Sequence, residues 1–277
     1  MTSADLGGAE ALQRFFERAE AELLGDVRWP EFHAALLAAL EAGTVRAARR
    51  DATGEWHAEA WVKRAILTGF RRSGVVDFPA APAGFRDKAA YPPRQFAAED
   101  EVRLVPGGSA VRRGAHLARG VVVMPPAYVN VGAFVGAGSM VDSHALVGSC
   151  AQIGERVHLS AGAQIGGVLE PAGARPVIIE SDCFIGALAG VFEGVLVRER
   201  AVLAAGVVLT ASSRIHDLVH SRTLAGEVPA GAVVVPGAQR LSGAFAESLG
   251  LSRAAPLIVK YRDAKTDAAT ALESALR

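Results

Sequence analysis

An aliphatic residue recurs every six positions through the middle of this chain. Val111, Leu117, Val123, Val129, Val135, Val141, Val147, Ile153, Leu159 and Ile165 form one run. After a break the series resumes at Ile179, Ile185, Val191, Val197, Leu203, Leu209 and Ile215, and a partial coil follows at Val228 and Val234. A helix repeats its face about every 3.6 residues and a strand every two, so neither generates this period. A triangular solenoid does. One aliphatic residue per hexad points inward, three hexads close a coil, and successive coils pair as parallel strands. The expected fold is mainly β, a left-handed parallel β-helix. Glycine follows the inward residue at Gly148, Gly154, Gly166 and Gly186, near turns where a side chain would crowd the backbone.

Different patterns flank the repeat. Leu12, Phe15, Phe16, Ala19 and Leu23, then Phe32, Leu36, Leu37 and Leu40, recur at helical spacing, and Gly43 offers a stop. Asp51-Ala-Thr-Gly-Glu is a turn signal for a hairpin within residues 44–61. Residues 60–70 suggest a short amphipathic helix, and proline and alanine clusters make 78–100 a loop-rich connector. A strand is expected at 256–260, followed by a polar helix from about Thr266. The expected organisation is a small α-rich N-terminal domain (1–100), the β-helix (101–240) and a short C-terminal extension (241–277). Two segments, 169–176 and 216–227, leave the hexad register, and loops extruded from a rigid scaffold often contact ligands.

Composition narrows the function. Lysine plus arginine and aspartate plus glutamate number 29 each, so no basic excess exists for nonspecific nucleic-acid binding. Cys150 and Cys183 form no disulfide framework and no metal spacing. The N-terminus lacks the basic start and continuous apolar run of a signal peptide, and no apolar stretch is long enough to span a membrane. A cytoplasmic protein without membrane or nucleic-acid partners is expected.

More specific motifs lie within the repeat: Met124-Pro125, Tyr128-Val-Asn, Met140-Val-Asp, Val147-Gly-Ser-Cys-Ala-Gln-Ile-Gly and Val157-His-Leu-Ser. With Ile165-Gly-Gly-Val-Leu-Glu-Pro, Val228-Pro-Ala-Gly and the Trp61-Val-Lys-Arg-Ala-Ile-Leu segment, the chain closely resembles the tetrahydrodipicolinate N-succinyltransferases of lysine and diaminopimelate biosynthesis. The resemblance implies a homotrimer with active sites between neighbouring β-helices. It also implies succinyl transfer from succinyl-CoA, as a co-substrate, to the amine of ring-opened tetrahydrodipicolinate, with no metal, no resident cofactor and no acyl-enzyme. The functional aspartate of the family's Met-Val-Asp motif is Asp142 here, and the substrate-binding arginine of its entry motif matches Arg103 in Arg103-Leu-Val-Pro-Gly. Two departures stand out. The family's Met-Val-Asp-Thr-Trp-Ala-Thr becomes Asp142-Ser-His-Ala-Leu after the shared Met-Val, and its Ile-Gly-Ala-Arg-Ser-Glu becomes Ile185-Gly-Ala-Leu-Ala-Gly. The family's functional glutamate therefore falls at Gly190 and its arginine at Leu188.

Acyl transfer from a thioester to an amine needs a proton acceptor and stabilisation of a tetrahedral oxyanion. Asp142 is the candidate base or amine-orienting group; without the resemblance it would read as a surface aspartate at a turn. His144 and His158 are competing bases, and His144 is also a candidate substrate contact. No three of the seven histidines form a coherent zinc pattern. Cys150 reads as a small packed residue rather than an acyl-accepting nucleophile. Arg103 is the candidate carboxylate partner, while Arg112 and Arg113 read as solvated turn residues. Gly166, Gly167, Ala187, Ala204, Ala205 and Gly206 would give the pantetheine arm a smooth wall, with Arg214 and Arg222 available for phosphates. The alternatives are a related CoA-dependent N-acetyl- or N-acyltransferase acting on another amino acid, and a non-catalytic β-helix scaffold.

Overall fold

A computed structural model describes residues 8–78 and 85–263. The hexads fold as a three-faced parallel β-helix. From Val111 to Leu209 each inward aliphatic position ends a two-residue strand, and partners in uninterrupted coils lie 18 residues apart, as in Val129↔Val147 and Val147↔Ile165. Face 1 stacks His116–Leu117, Phe134–Val135, Gln152–Ile153, Ile178–Ile179, Leu196–Val197 and Glu227–Val228. Face 2 stacks Arg103–Leu104, Val122–Val123, Met140–Val141, His158–Leu159, Phe184–Ile185, Val202–Leu203 and Ala232–Val235. Face 3 runs from Ala110–Val111 through Tyr128–Val129, Leu146–Val147, Gln164–Ile165 and Gly190–Val191 to Val208–Leu209. The inward residues form one continuous buried core with alanines and valines at the turns. Burial of this aliphatic column is the main driving force for the stack.

Glycine has two separate jobs in the coils. Directly after the inward residue it allows close stacking: a β-carbon on Gly136 would stand 2.5 Å from the Gly154 carbonyl carbon. Three residues after the inward position the chain turns with positive φ, as at Gly162 and Gly206. The sequence pattern exposed the first job and missed the second.

The first interruption is an insertion between Ile165 and Ile178, so Ile153 pairs with Ile179, 26 residues on. The second begins earlier than the hexad spacing suggests. Ile215 keeps the six-residue interval but is not a coil position: Ile215–Asp217 pairs antiparallel with Arg222–Leu224 and lies beside the C-terminal strand Leu257–Tyr261. Val197 is answered instead by Val228. The interval at Ile215 survives because the residue is still buried against the end of the core. The strand Leu257–Tyr261 confirms the expectation for 256–260, while the helix expected from Thr266 lies outside the described residues.

Before the solenoid come α1 (Ala9–Phe16), α2 (Glu20–Gly25), α3 (Trp29–Glu41), the hairpin β1 (Ala48–Arg50)–β2 (Trp56–Ala58) and α4 (Ala60–Arg72). Asp51 fixes the hairpin turn by accepting the Thr53 and Glu55 N–H groups at 2.8 and 3.0 Å. A second hairpin, β3 (Val75–Phe78) and β4 (Phe85–Lys88), enters the stretch read from sequence as connector. The helices pack on the solenoid rather than beside it, since Leu12, Leu37, Trp61 and Ile66 share one buried cluster with Val131 and Cys150 of the coils. An arm missed by the periodicity, Ala238–Arg240, helix α5 (Ala244–Ser248) and Ser252–Ala254, follows the last coil.

Candidate active site

Asp142 opens the edge where face 2 turns into face 3. Its amide donates to the Leu159 carbonyl at 2.9 Å, which fixes the rung. Its Oδ1 accepts the Ser143 N–H at 2.7 Å, so the carboxylate is held along the edge. It is half-buried, and among the described residues it forms no ion pair. A half-desolvated carboxylate with lone pairs to spare is suited to bind an ammonium and accept its proton.

The same edge gathers most of the other candidates. A ladder of backbone bonds, His144 N–H to Pro126, Gly162 to Ser143, Leu188 to Ala161 and Gly206 to Ala187, stacks these turns in one column. His144 is exposed at a left-handed turn with φ 63°, one position beyond Ser143. Two coils above Asp142's rung lies Ala187, and Ala204, Ala205 and Gly206 continue upward. At the strand spacing of about 4.8 Å per coil, this smooth strip runs on the order of 15 Å from Asp142. Arg103 stands on face 2, exposed and without an ion-pair partner among the described residues, two coils below Met140. Gly166 and Gly167 do not belong to this edge. They lie where face 3 turns into face 1, against Gly148 and Ser149. The structure therefore divides the six-residue wall inferred from sequence into two separate edges.

Arg222, read from sequence as available for phosphates, is committed elsewhere, and Arg112 and Arg113, read as solvated turn residues, are held in ion pairs. Arg112 pairs with Asp87 and Arg113 with Glu41, both at 2.5 Å, which ties the N-terminal elements to the first coil. Arg222 holds the buried carboxylate of Asp217 at 2.9 Å, together with Tyr261 and His220. Burial alone would raise the Asp217 pKa, but these hydrogen bonds more than offset it and hold the carboxyl below its ordinary range. Arg214 remains exposed. His158 stacks on Phe184 with ring centroids 4.9 Å apart, buried in the outer row of face 2. Cys150 is fully buried at a turn, and burial pushes its thiol up to about 12, so it is a poor nucleophile.

The positions of Leu188 and Gly190 are resolved physically. Leu188 keeps the left-handed turn with φ 59° and leaves 72% of its surface exposed on the Asp142 edge. Gly190 is buried in the outer row of face 3 beneath Phe192. Phe192 was not singled out in the sequence. The signal was present: in the column after the inward residue, Gly148 and Gly166 are followed by a phenylalanine.

Among the described residues no group of three or more His, Cys, Asp or Glu side chains could hold a metal ion, and no helix is long and apolar enough to cross a membrane. Residues 16–71 match the tetrahydrodipicolinate N-succinyltransferase N-terminal family, and residues 176–211 match the hexapeptide repeat of succinyl-transferase. The 2,3,4,5-tetrahydropyridine-2,6-dicarboxylate N-succinyltransferase of Nitrobacter winogradskyi is 47% identical over 250 residues, 87% of each chain. That of Albidiferax ferrireducens is 49% identical over 246 residues, 86% of each chain, and that of Nitrobacter hamburgensis is 46% identical over 270 residues, 94% of each. Identity of this extent spans the N-terminal helices, the coils and the Asp142 edge together, and the chain belongs to the tetrahydrodipicolinate N-succinyltransferase family.

Proposed function

We infer that this protein transfers the succinyl group of succinyl-CoA to the amine of ring-opened tetrahydrodipicolinate. The observation that carries the reading is the near-full-length match to enzymes named for this reaction, with Asp142 unpaired on a half-buried edge. Asp142 orients the acceptor ammonium and takes its proton, which frees the nitrogen lone pair. The nitrogen attacks the thioester carbonyl, an oxyanion forms and collapses, and the CoA thiolate leaves and takes up the second amine proton to become the free thiol. Ala187, Ala204, Ala205 and Gly206 form the strip on which the pantetheine arm lies. Arg103 binds a substrate carboxylate with its guanidinium fork, and His144 contacts substrate beside Asp142. Arg103 is exposed and Asp142 half-buried, which leaves room for a neighbouring subunit to complete the site.

We read the assembly as a homotrimer acting in the cytoplasm. Exposed Val208 and Leu188 on the solenoid, and Phe245 and Leu249 on the arm, supply apolar surface for self-association. A second reading concerns the donor. Leu188 on the Asp142 edge and Gly190 in the adjoining outer row of face 3 stand where the family motif has an arginine and a glutamate, and the lack of charge there favours an uncharged acyl group such as acetyl.

The deciding experiment is CoA release with tetrahydrodipicolinate and either succinyl-CoA or acetyl-CoA, using wild type and Asp142→Asn. Turnover with succinyl-CoA, lowered about 10²- to 10⁴-fold by the substitution, supports the first reading. Turnover with acetyl-CoA alone supports the second, and none with either donor by folded protein rejects both.

A further inference from the structure

Arg46 carries a charge that no described side chain answers. Its guanidinium lies 3.6 Å from the Phe134 ring centroid, with the Trp56 ring at 5.5 Å. Its Nε donates to Gln152 Oε1 at 2.9 Å. Gln152 is locked in that orientation because its own amide donates to the carbonyls of Gly132, Cys150 and Ala151. Among the described residues Arg46 makes no ion pair, and its terminal nitrogens have no hydrogen-bond partner. Its neighbours differ. Arg49 is paired with Glu59 at 2.6 Å, and Arg198 with Glu227 at 2.8 Å.

Arg46 lines a cavity of about 290 Å³ between the β1–β2 hairpin and the edge where face 1 turns into face 2. Its floor is the backbone of Gly136 and Gly154. Stripping water from a cation without supplying a counter-charge is costly, and burial holds the Arg46 guanidinium down at about 10. The same local excess of positive charge reaches His116, which stacks on the Phe134 ring at 4.4 Å. Burial chiefly, and the Arg94 and Arg46 charges in addition, hold its imidazole below the ordinary range.

The rest of the lining selects the anion. Glu180 is engaged by Trp56 Nε1 at 2.9 Å, by the Glu199 N–H at 3.0 Å and by Arg50, which also lines the cavity, at 3.7 Å, and Glu155 is engaged by Arg156 at 2.8 Å. The Glu199 carboxylate is exposed at the rim. A dianion would meet these carboxylates as well as Arg46, whereas a zwitterion offers each its complement. We propose that this cavity binds a free α-amino acid, its carboxylate on the two terminal nitrogens of Arg46 and its ammonium toward Glu199. The site lies on a different edge from Asp142 and does not depend on the acyl-transfer reading.

Saturation-transfer NMR on the intact protein tests this with glycine, acetate and inorganic phosphate as probes. Wild type is expected to give a saturable glycine signal, displaced by acetate at higher concentration and not by phosphate. The apparent glycine affinity should fall at least tenfold in Arg46→Met and remain unchanged in Asp142→Asn. Should Arg46→Met fail to fold, Arg46→Lys, which keeps the charge and loses the fork, is expected to weaken glycine several-fold. No saturable glycine signal in wild type overturns the proposal. So does equal binding by the folded Arg46 variants, or displacement by phosphate in preference to acetate.

Discussion

The Phe192 ring lies directly over Gly190: a β-carbon at position 190 would stand 2.5 Å from its Cε2. Gly166 is held the same way, with Phe192 Cδ1 at 2.7 Å from its added β-carbon. One aromatic ring thus fills space above two glycines on neighbouring rungs, and a larger residue at either needs the ring to move. Gly190→Glu alone is expected to lower stability by about 1–3 kcal/mol, the usual cost of overpacking. Adding Phe192→Val should recover much of that loss. Thermal melts of the two single variants and the double variant measure the coupling; strictly additive effects would mean that the ring does not hold position 190 closed.

Lys63 performs a task that its position in a helix conceals. Its side chain is fully buried in α4, and its ammonium donates to the Pro171 and Ala174 carbonyls at 3.2 and 2.7 Å. It therefore pins the insertion between Ile165 and Ile178 to the N-terminal domain. Lys63→Met keeps the buried stem and removes both bonds, leaving two carbonyls to find water. The expected loss is about 2–4 kcal/mol, with faster amide exchange across residues 167–176. Unchanged exchange in that segment would show that the loop is held by other contacts.

Acid should weaken the fold through His33. Its ring stacks on Trp29 at 4.3 Å, and burial chiefly lowers its pKa from 6.5 to about 4. The unfolded chain then binds a proton at a pH where the folded one does not, so stability is full above about 6.5 and falls as pH drops toward about 4. Melting temperature measured from pH 7.5 to 4 should decline, and His33→Gln should flatten that part of the profile. A profile of equal slope in the variant would assign the acid sensitivity elsewhere.

Much of the fold was legible because a solenoid repeats one packing decision. Val129, Val147 and Ile165 each face the core at the same interval, so any one of them predicts the next. Ile215 shows the limit: its spacing is right, its burial is real, and its strand partners are different. Spacing reports burial but not which chain lies alongside. The placement of the candidate site residues was legible only in part. Asp142, His144 and Ala187 share one edge because their turns stack, whereas Gly166 turns away because it comes after the inward residue of another face. The column after the inward residue marks Phe192 but not the direction of its ring, and the role of Lys63 is hidden because it serves carbonyls more than a hundred residues ahead in sequence.

A parallel β-helix has two raw ends, each a row of unpaired backbone groups ready to template another chain. Here the last coil strand, Ala232–Val235, is closed by Leu257–Tyr261 running antiparallel to it, with a register shift between Val233 and Val234. A reversed strand with a bulge cannot serve as the next parallel rung, so the segment that ends the described chain acts as a stop against growth. Removing it from Ala255 onward should leave the coils intact yet let one solenoid prolong another. Light scattering would then report filaments whose length rises with protein concentration, where the full chain stays at a fixed size.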